Sequence, residues 1–547
     1  MIRQTIVPGL ALVLMMGACG GDNDASDSGA DSPPIDATER DGSELDSGGD
    51  DAGRDANPED TGNADAADSG PIDDGPLKAF PSAYGGGAIA TGGRRDAETT
   101  QLILVDTLDA DADLVEVRPR VWRGGLDAAL TQNIGTPRFV VFNVSGQVDV
   151  GLTPGPDGDS RSFGEGISTE EPNGASDMTI LGQTAPEGGV TIINGYIHIK
   201  RNRNIILRYL TSRPKLITGN PITDDRRSTG ISLPGREVII DHCSSSWGGD
   251  KSIIMADWQP GYPNRDSTLQ RSIAAESATL VFSVDGIDSG EDDWDIAGNI
   301  SILSNLVMGG HRTPNLGGFN GYGEIRNNVI ISRGSRLANI VYGSPSVNYQ
   351  NNYIFHRVSI SRNNWQRIGD VDVDLFADGN YYEELEGGVI LDGDNTQAEE
   401  HSIWTMFGTS DPVPASFFED APVSEESIEH PMPLLGALEA RASVLGDVGN
   451  NRYLDDDGVV QRHQDSYDLG AIADANAGEL RFNRDSSTWE WPTVPSNTRP
   501  DSYDTDNDGM ADAWEMRTFG SLDEDFFGDA DGDGYLNIEE YANQVDR

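Results

Sequence analysis

Residues 305–355 read NLVMGGHRTPNLGGFNGYGEIRNNVIISRGSRLANIVYGSPSVNYQNNYIF. Within them Asn305-Leu306-Val307, Asn328-Val329-Ile330 and Asn352-Tyr353-Ile354 recur at offsets of 23 and 24 residues. Each is a short β-prone run behind a polar turn, and so short a period fits one coil of a parallel β-helix. Stacked coils bury their inward side chains, and an Asn at the same turn of successive coils can extend an amide ladder. The pairs Asn327-Asn328 and Asn351-Asn352 suit that turn.

The same texture extends in both directions. Phe139-Val140-Val141-Phe142, Val190-Thr191-Ile192-Ile193, Asn204-Ile205-Ile206-Leu207 and Val238-Ile239-Ile240 are bounded by Gly, Asn and Asp turns, an all-β signature. Earlier runs recur at about 30 residues, as if loops were inserted into the shorter period. A β-sandwich also shows regularly spaced short strands, and periodicity alone leaves it open as a competitor. The expectation is an all-β chain: a right-handed parallel β-helix over 79–480 with a small calcium-binding tail within 481–547. At 433–448, Leu434, Leu435, Leu438, Ala442 and Leu445 share one helical face, predicting a helix packed outside the coils.

The 547 residues carry a formal charge of −54, with 92 acidic against 38 basic side chains. That excludes a nucleic-acid partner, because phosphate binding needs clustered Lys and Arg. The first 19 residues combine Arg3, an apolar run from Val7 to Met16, and Gly17-Ala18-Cys19. This resembles a lipobox signal and predicts lipid on Cys19 and a lipid-anchored protein of a bacterial cell envelope, at the outer membrane or cell surface. An ordinary secretory signal with a chance cysteine, and a secreted protein, is the alternative. Residues 20–78 are Asp, Gly, Ser, Ala and Pro with almost no large apolar side chains, the composition of a disordered tether. With two cysteines, Cys19 and Cys243, a disulfide framework is excluded. Cys243 has no metal-spaced partner and reads as a buried apolar side chain. Gly85-Gly86-Gly87 lacks the Gly-Lys-Ser/Thr of a phosphate loop.

The tail holds one motif twice. Asp504, Asp506, Asp508, Gly509, Asp512 and Glu515 fill positions 1, 3, 5, 6, 9 and 12 of an EF-hand-type loop, and Asp529, Asp531, Asp533, Gly534, Asn537 and Glu540 repeat it. Calcium takes six to eight oxygens, the glycine permits the turn, and the last Glu can bind bidentately. Met510 and Tyr535 would add carbonyls at position 7. Pro500 opposes a full helix before the first loop. The pair therefore resembles thrombospondin type 3 or dockerin repeats.

Arg123-Gly124-Gly125-Leu126, Gly182-Gln183-Thr184-Ala185-Pro186, Ile205-Ile206-Leu207-Arg208-Tyr209 and Ile239-Ile240-Asp241-His242-Cys243-Ser244 with Ser246-Trp247 follow one another. In this order they resemble the pectate lyases of polysaccharide lyase family 1. The resemblance implies calcium-dependent β-elimination on pectate or a related uronate polymer by a monomer. Arg312, in His311-Arg312-Thr313-Pro314, falls where the family keeps its catalytic arginine, and Asp250 where it keeps a calcium ligand. Asp241 matches the Asp of an Asp-His pair, for which turn or core support is the favoured role; adjacent strand residues face opposite sides, so Asp241 and His242 form no catalytic triad. Four positions depart from the pattern. Ser228-Thr229-Gly230-Ile231 lacks a calcium carboxylate, for which Asp224 or Asp225 is near enough to substitute. Lys251, Asp285 and Asn315 replace an acid and two basic residues, and Lys251 is the candidate to hold a substrate carboxylate. A surface glycan-binding protein with an eroded centre on the same fold is the second functional reading.

Overall fold

The computed structural model describes residues 76–547 apart from 133, 151–166, 170–175, 200–201, 215–228, 249–250, 256–263, 278–279, 286–297, 311, 318–320, 333–337, 342–343, 357–365, 369–372, 385–392, 395–399, 407–408, 410, 424–427 and 484–487. Each coil contributes one strand to each of three long sheets. Tyr322–Arg326, Val329–Ser332 and Asn339–Val341 form one coil, and Ser346–Gln350 opens the next. The strands pair in parallel with their counterparts one coil away, Ile325 with Tyr349 and Ile330 with Ile354. The fold is thus a parallel β-helix.

Register explains the core. Ile103, Val140, Ile180, Leu207, Ile240, Leu269, Ile302, Ile325, Tyr349 and Ala377 are successive partners along sheet one. All ten belong to the largest buried cluster. Alternation sends their neighbours outward. From the strand Asn202–Arg208 onward, the corner from sheet one to sheet two carries one left-handed residue in each of six successive coils: Tyr209, His242, Arg271, Ser304, Asn327 and Asn351 have φ between 46° and 58°.

The expected amide ladder sits beside that corner. Asn305 Nδ2 donates to Asn328 Oδ1 at 3.1 Å, Asn328 Nδ2 to Asn352 Oδ1 at 2.9 Å, and Asn352 Nδ2 to Asn380 Oδ1 at 2.8 Å. Glu400 ends it, accepting from Asn380 Nδ2 at 2.6 Å and from its backbone N–H at 2.8 Å.

The coils end earlier than the periodicity suggested: the last sheet-three strand is Trp404–Met406. Residues beyond it cover the outside. The helix expected from 433 begins only at Ala437, as Ala437–Gly446. Asn327 and Asn351 bind the backbone of Pro433 and Leu435 and hold this stretch extended. The buried side is therefore Ala437, Ala440, Val444 and Leu445, while Leu434 and Leu438 are exposed, a correction to the expected face. Val444, Leu445, Val448, Tyr467, Ala471 and Trp489 pack on outward Ile273, Leu306, Met308 and Val329 of sheet two. Ala79, Phe80, Ala83, Ala88 and Ala90 cover Ile206 and Ile239 of sheet one.

The tail is not a separate appendage. Residues 74–547 form one compact unit. Tyr503, Met510, Trp514, Phe526, Ile538 and Tyr541 bury outward Leu102, Leu104, Phe139 and Val141 of the first coils. Exposed, these side chains would each cost about 1.5–3 kcal/mol of lost burial.

Candidate functional site

Once per coil the chain turns from sheet two into sheet three, and the described candidates for uronate chemistry, Thr229, Lys251 and Arg312, border that corner. Residues 214–228 join Thr211–Arg213 to Thr229–Ser232, 247–250 join Ser244–Ser246 to Lys251–Ile254, and 309–314 join Leu306–Met308 to Asn315–Gly317. Thr229 and Lys251 are register partners on adjacent strands. Leu280–Asp285 stands between the Lys251 strand and Asn315–Gly317, so along this edge Arg312 lies two strand spacings, about 10 Å, from Lys251 and three, about 14 Å, from Thr229. Asp225, Asp224, Asp250 and Cys19 lie outside the described residues.

The turn at this corner is made by Trp247, Glu276 and Gly309, with φ of 63°, 47° and 85°. Arg312 lies three residues further on and is also left-handed, at φ 59°. That conformation costs an L residue roughly 1–2 kcal/mol. The per-coil turn is already made at Gly309, so Arg312 is a second left-handed residue in the same connection. Arg312 is half-buried. Lys251 is buried, 5% exposed. Thr229 is buried, and its hydroxyl has no hydrogen-bond partner. Asn315, where the family keeps a basic residue, accepts from Asn339 Nδ2 at 2.6 Å in the next coil.

Asp241 is core support, as expected, but it does not face away from His242: the strand ends at Asp241, and His242, left-handed at φ 48°, turns its ring back to it. The Asp241 carboxylate is fully buried, 2.9 Å from Arg208 and 3.0 Å from His242, and accepts from Gln270 Nε2 at 2.7 Å. Burial would raise its pKa, but His242, Arg208 and Arg271 hold it far below the ordinary carboxylate range. Cys243 is buried, its thiol pushed up to about 12 by burial. A second buried network escaped the sequence reading. Arg213 binds Asp465 at 2.6 Å, Asp468 at 2.8 Å and Ser246. Asp465 caps the helix Ser466–Ala477 by accepting from the Asp468 N–H. The Asp-Ser-Tyr-Asp string is a capping signal that could have placed that helix.

Among the described residues, the acidic groups able to hold a metal ion all lie in the tail: Asp504, Asp506 and Asp512; Asp506, Asp508 and Glu515; Asp529, Asp531 and Asp533. Thr229, Lys251 and Arg312 alone make no calcium seat at the corner. The first tail loop does fit a cation. Asp504 accepts from the N–H groups of Asp508 and Gly509, shaping the loop. Both Glu515 oxygens and Asp508 Oδ2 are buried without a hydrogen-bond partner. Burial and mutual repulsion push Asp504 up to about 7 and Glu515 up to about 8. As Pro500 implied, no helix precedes this loop; Asp512–Thr518 leads out of it. The second loop is more exposed, and its Glu540 pairs with Arg547 at 2.7 Å.

The described structure defines a parallel β-helix with a cation-ready tail and a polar corner holding a strained arginine. Its sequence is similar to "Probable pectate lyase C" of Aspergillus oryzae, 26% identical over 478 residues, covering 86% of this chain and 94% of that protein. The same-named protein of Emericella nidulans is 24% identical over 477 residues, covering 86% and 93%. In sequence the chain is therefore pectate lyase-like. Among solved structures it matches a pectate lyase from Acidovorax avenae subsp citrulli with a TM-score of 0.39 and 11% identity, covering 71% of this chain and 98% of that one. No family model matches the chain.

Proposed function

We propose that the chain is a calcium-dependent polysaccharide lyase that cleaves pectate or a related uronate polymer by β-elimination. The observation that carries the reading is Arg312, held in a strained turn on the edge that also bears Thr229 and Lys251. The similarity to proteins named probable pectate lyases, over 86% of the chain, supports it.

The C5 proton of a uronate lies next to a carboxylate and is only weakly acidic. Arg312 takes that proton onto a guanidine nitrogen as the C4–O bond breaks. The electron pair leaves on the glycosidic oxygen, which is protonated by solvent, and a C4=C5 double bond forms. A guanidine free to accept a proton requires cationic neighbours that depress its pKa. Lys251 supplies one positive charge on this edge and holds a uronate carboxylate. Calcium, when bound through Asp250 and Asp225, would spread the charge developing on the carboxylate. Mass spectrometry of the oligouronide ends is the test: unsaturated ends support elimination, saturated reducing and non-reducing ends refute it. Intact polymer that is nonetheless bound gives the glycan-binding reading.

The segment ending in Cys19 supports a lipid anchor in a bacterial cell envelope. Radiolabelled palmitate should enter the wild type and not Cys19→Ala; equal labelling refutes it.

A further inference from the structure

We infer that a calcium ion in the first tail loop, residues 504–515, is a latch that fastens the tail to the outer face of sheet one and stabilises the first coils. The inference rests on the tail loops binding calcium, as their pattern indicates. The two loops share a pattern but not a setting. Gly509, at φ 87°, lies against the first coils: a Cβ there would come within 3.2 Å of Leu102, and within 3.3 Å of both Val141 and Ile538. Arg118 Nε donates to the Asn507 carbonyl at 3.0 Å, and Arg123 donates to its side chain. A residue inside the first loop is thus gripped by the strands Val115–Arg118 and Val121–Gly124 at the start of sheet one.

The first loop's ligands are also poised differently. Glu515 and Asp508 are fully buried, with oxygens that no hydrogen bond satisfies. Gathered in one place and shielded from water, carboxylates repel unless a cation joins them. In the second loop Asp529, Asp531 and Asp533 are exposed, and Glu540 is engaged by Arg547. Three ion pairs add to the docking: Arg94 with Glu539 at 2.7 Å, Arg118 with Asp525 at 3.0 Å and Arg208 with Asp546 at 2.6 Å. The second loop thus also reaches the coils, through Glu539, but its buried, unsatisfied carboxylates are fewer, so a cation in the first loop stabilises the tail and the coil face it covers more strongly than one in the second.

Hydrogen exchange on the full chain, with calcium chloride or a chelator, tests this beside calcorimetric titration of the same samples. Calcium at ten times its Kd should slow exchange in Gln101–Val105 and Arg138–Phe142 roughly tenfold. Exchange in Ser346–Gln350, far along the stack, should not change. Glu515→Gln should abolish the protection and Glu540→Gln should reduce it less; Asp508→Asn replaces Glu515→Gln if that variant does not fold. Calcium uptake with protection confined to 504–547 would overturn the latch and leave the binding reading intact. No uptake at all would overturn both.

Discussion

Truncating Asn328 to Ala removes one rung from the middle of the amide ladder. Its Oδ1 accepts from the Asn305 backbone N–H at 2.9 Å and from Asn305 Nδ2 at 3.1 Å. Its Nδ2 donates to the Ile302 carbonyl and to Asn352 Oδ1, each at 2.9 Å. Asn305, Asn328 and Asn352 are all fully buried, so water cannot take over. The Asn305 N–H is left without an acceptor, at about 1–3 kcal/mol, and the other lost bonds add about 0.5–1.5 kcal/mol each. The expected loss is about 4 kcal/mol. Because each coil is stabilised by its neighbours, it should lower the urea midpoint of the stack rather than of one coil. Urea unfolding followed by tryptophan fluorescence measures this, with Ser346→Ala as a partly exposed control. A loss below about 1 kcal/mol at unchanged slope would show that the ladder is a consequence of stacking and not one of its causes.

Burial pushes Glu400 at the ladder's end up to about 8, with Asp378 adding to the effect and the Asn380 bonds opposing it. Its folded pKa is raised, so its contribution is complete below the unfolded value near 4.5 and is lost as pH climbs to about 8. The resulting fall in stability between those values is on the order of several kcal/mol, and Glu400→Ala should flatten that part of the profile in urea melts. Thr229→Asp places a carboxylate where a buried hydroxyl has no partner; the variant should melt earlier in chelator, regain stability with calcium, and need less calcium for cleavage. An unchanged calcium requirement would remove Thr229 from the metal's surroundings.

The coils were legible because a ladder needs the same amide at the same turn, which leaves Asn305, Asn328 and Asn352 as a visible period. The tail loops were legible because ligand spacing is local. What covers the coils was not. Arg213 finds Asp465 across 252 positions, and Ser244 finds Asp468 across 224, and nothing periodic links them. The helical face at 433–448 misled because Asn327 and Asn351 hold the backbone of Pro433 and Leu435 extended. Docking of the tail was hidden for a related reason. Outward Leu102 and Val141 alternate with inward Ile103 and Val140, so these strands read as continuous apolar runs with no sign of which face has a partner. At the corner, nothing in the sequence announced the left-handed backbone of Arg312, three residues beyond the turn at Gly309.

Elimination by Arg312 is read directly in the ultraviolet absorbance of unsaturated uronate released from a panel of uronate polymers with calcium, by wild type and by Arg312→Lys. A lysine keeps the charge but not the planar guanidine. The wild type should release unsaturated uronate steadily from at least one polymer, and Arg312→Lys should lose at least about 100-fold, within the usual reach of a general base, with an unchanged urea midpoint. Full activity in Arg312→Lys, or no release from any polymer at any calcium concentration, would contradict elimination by Arg312.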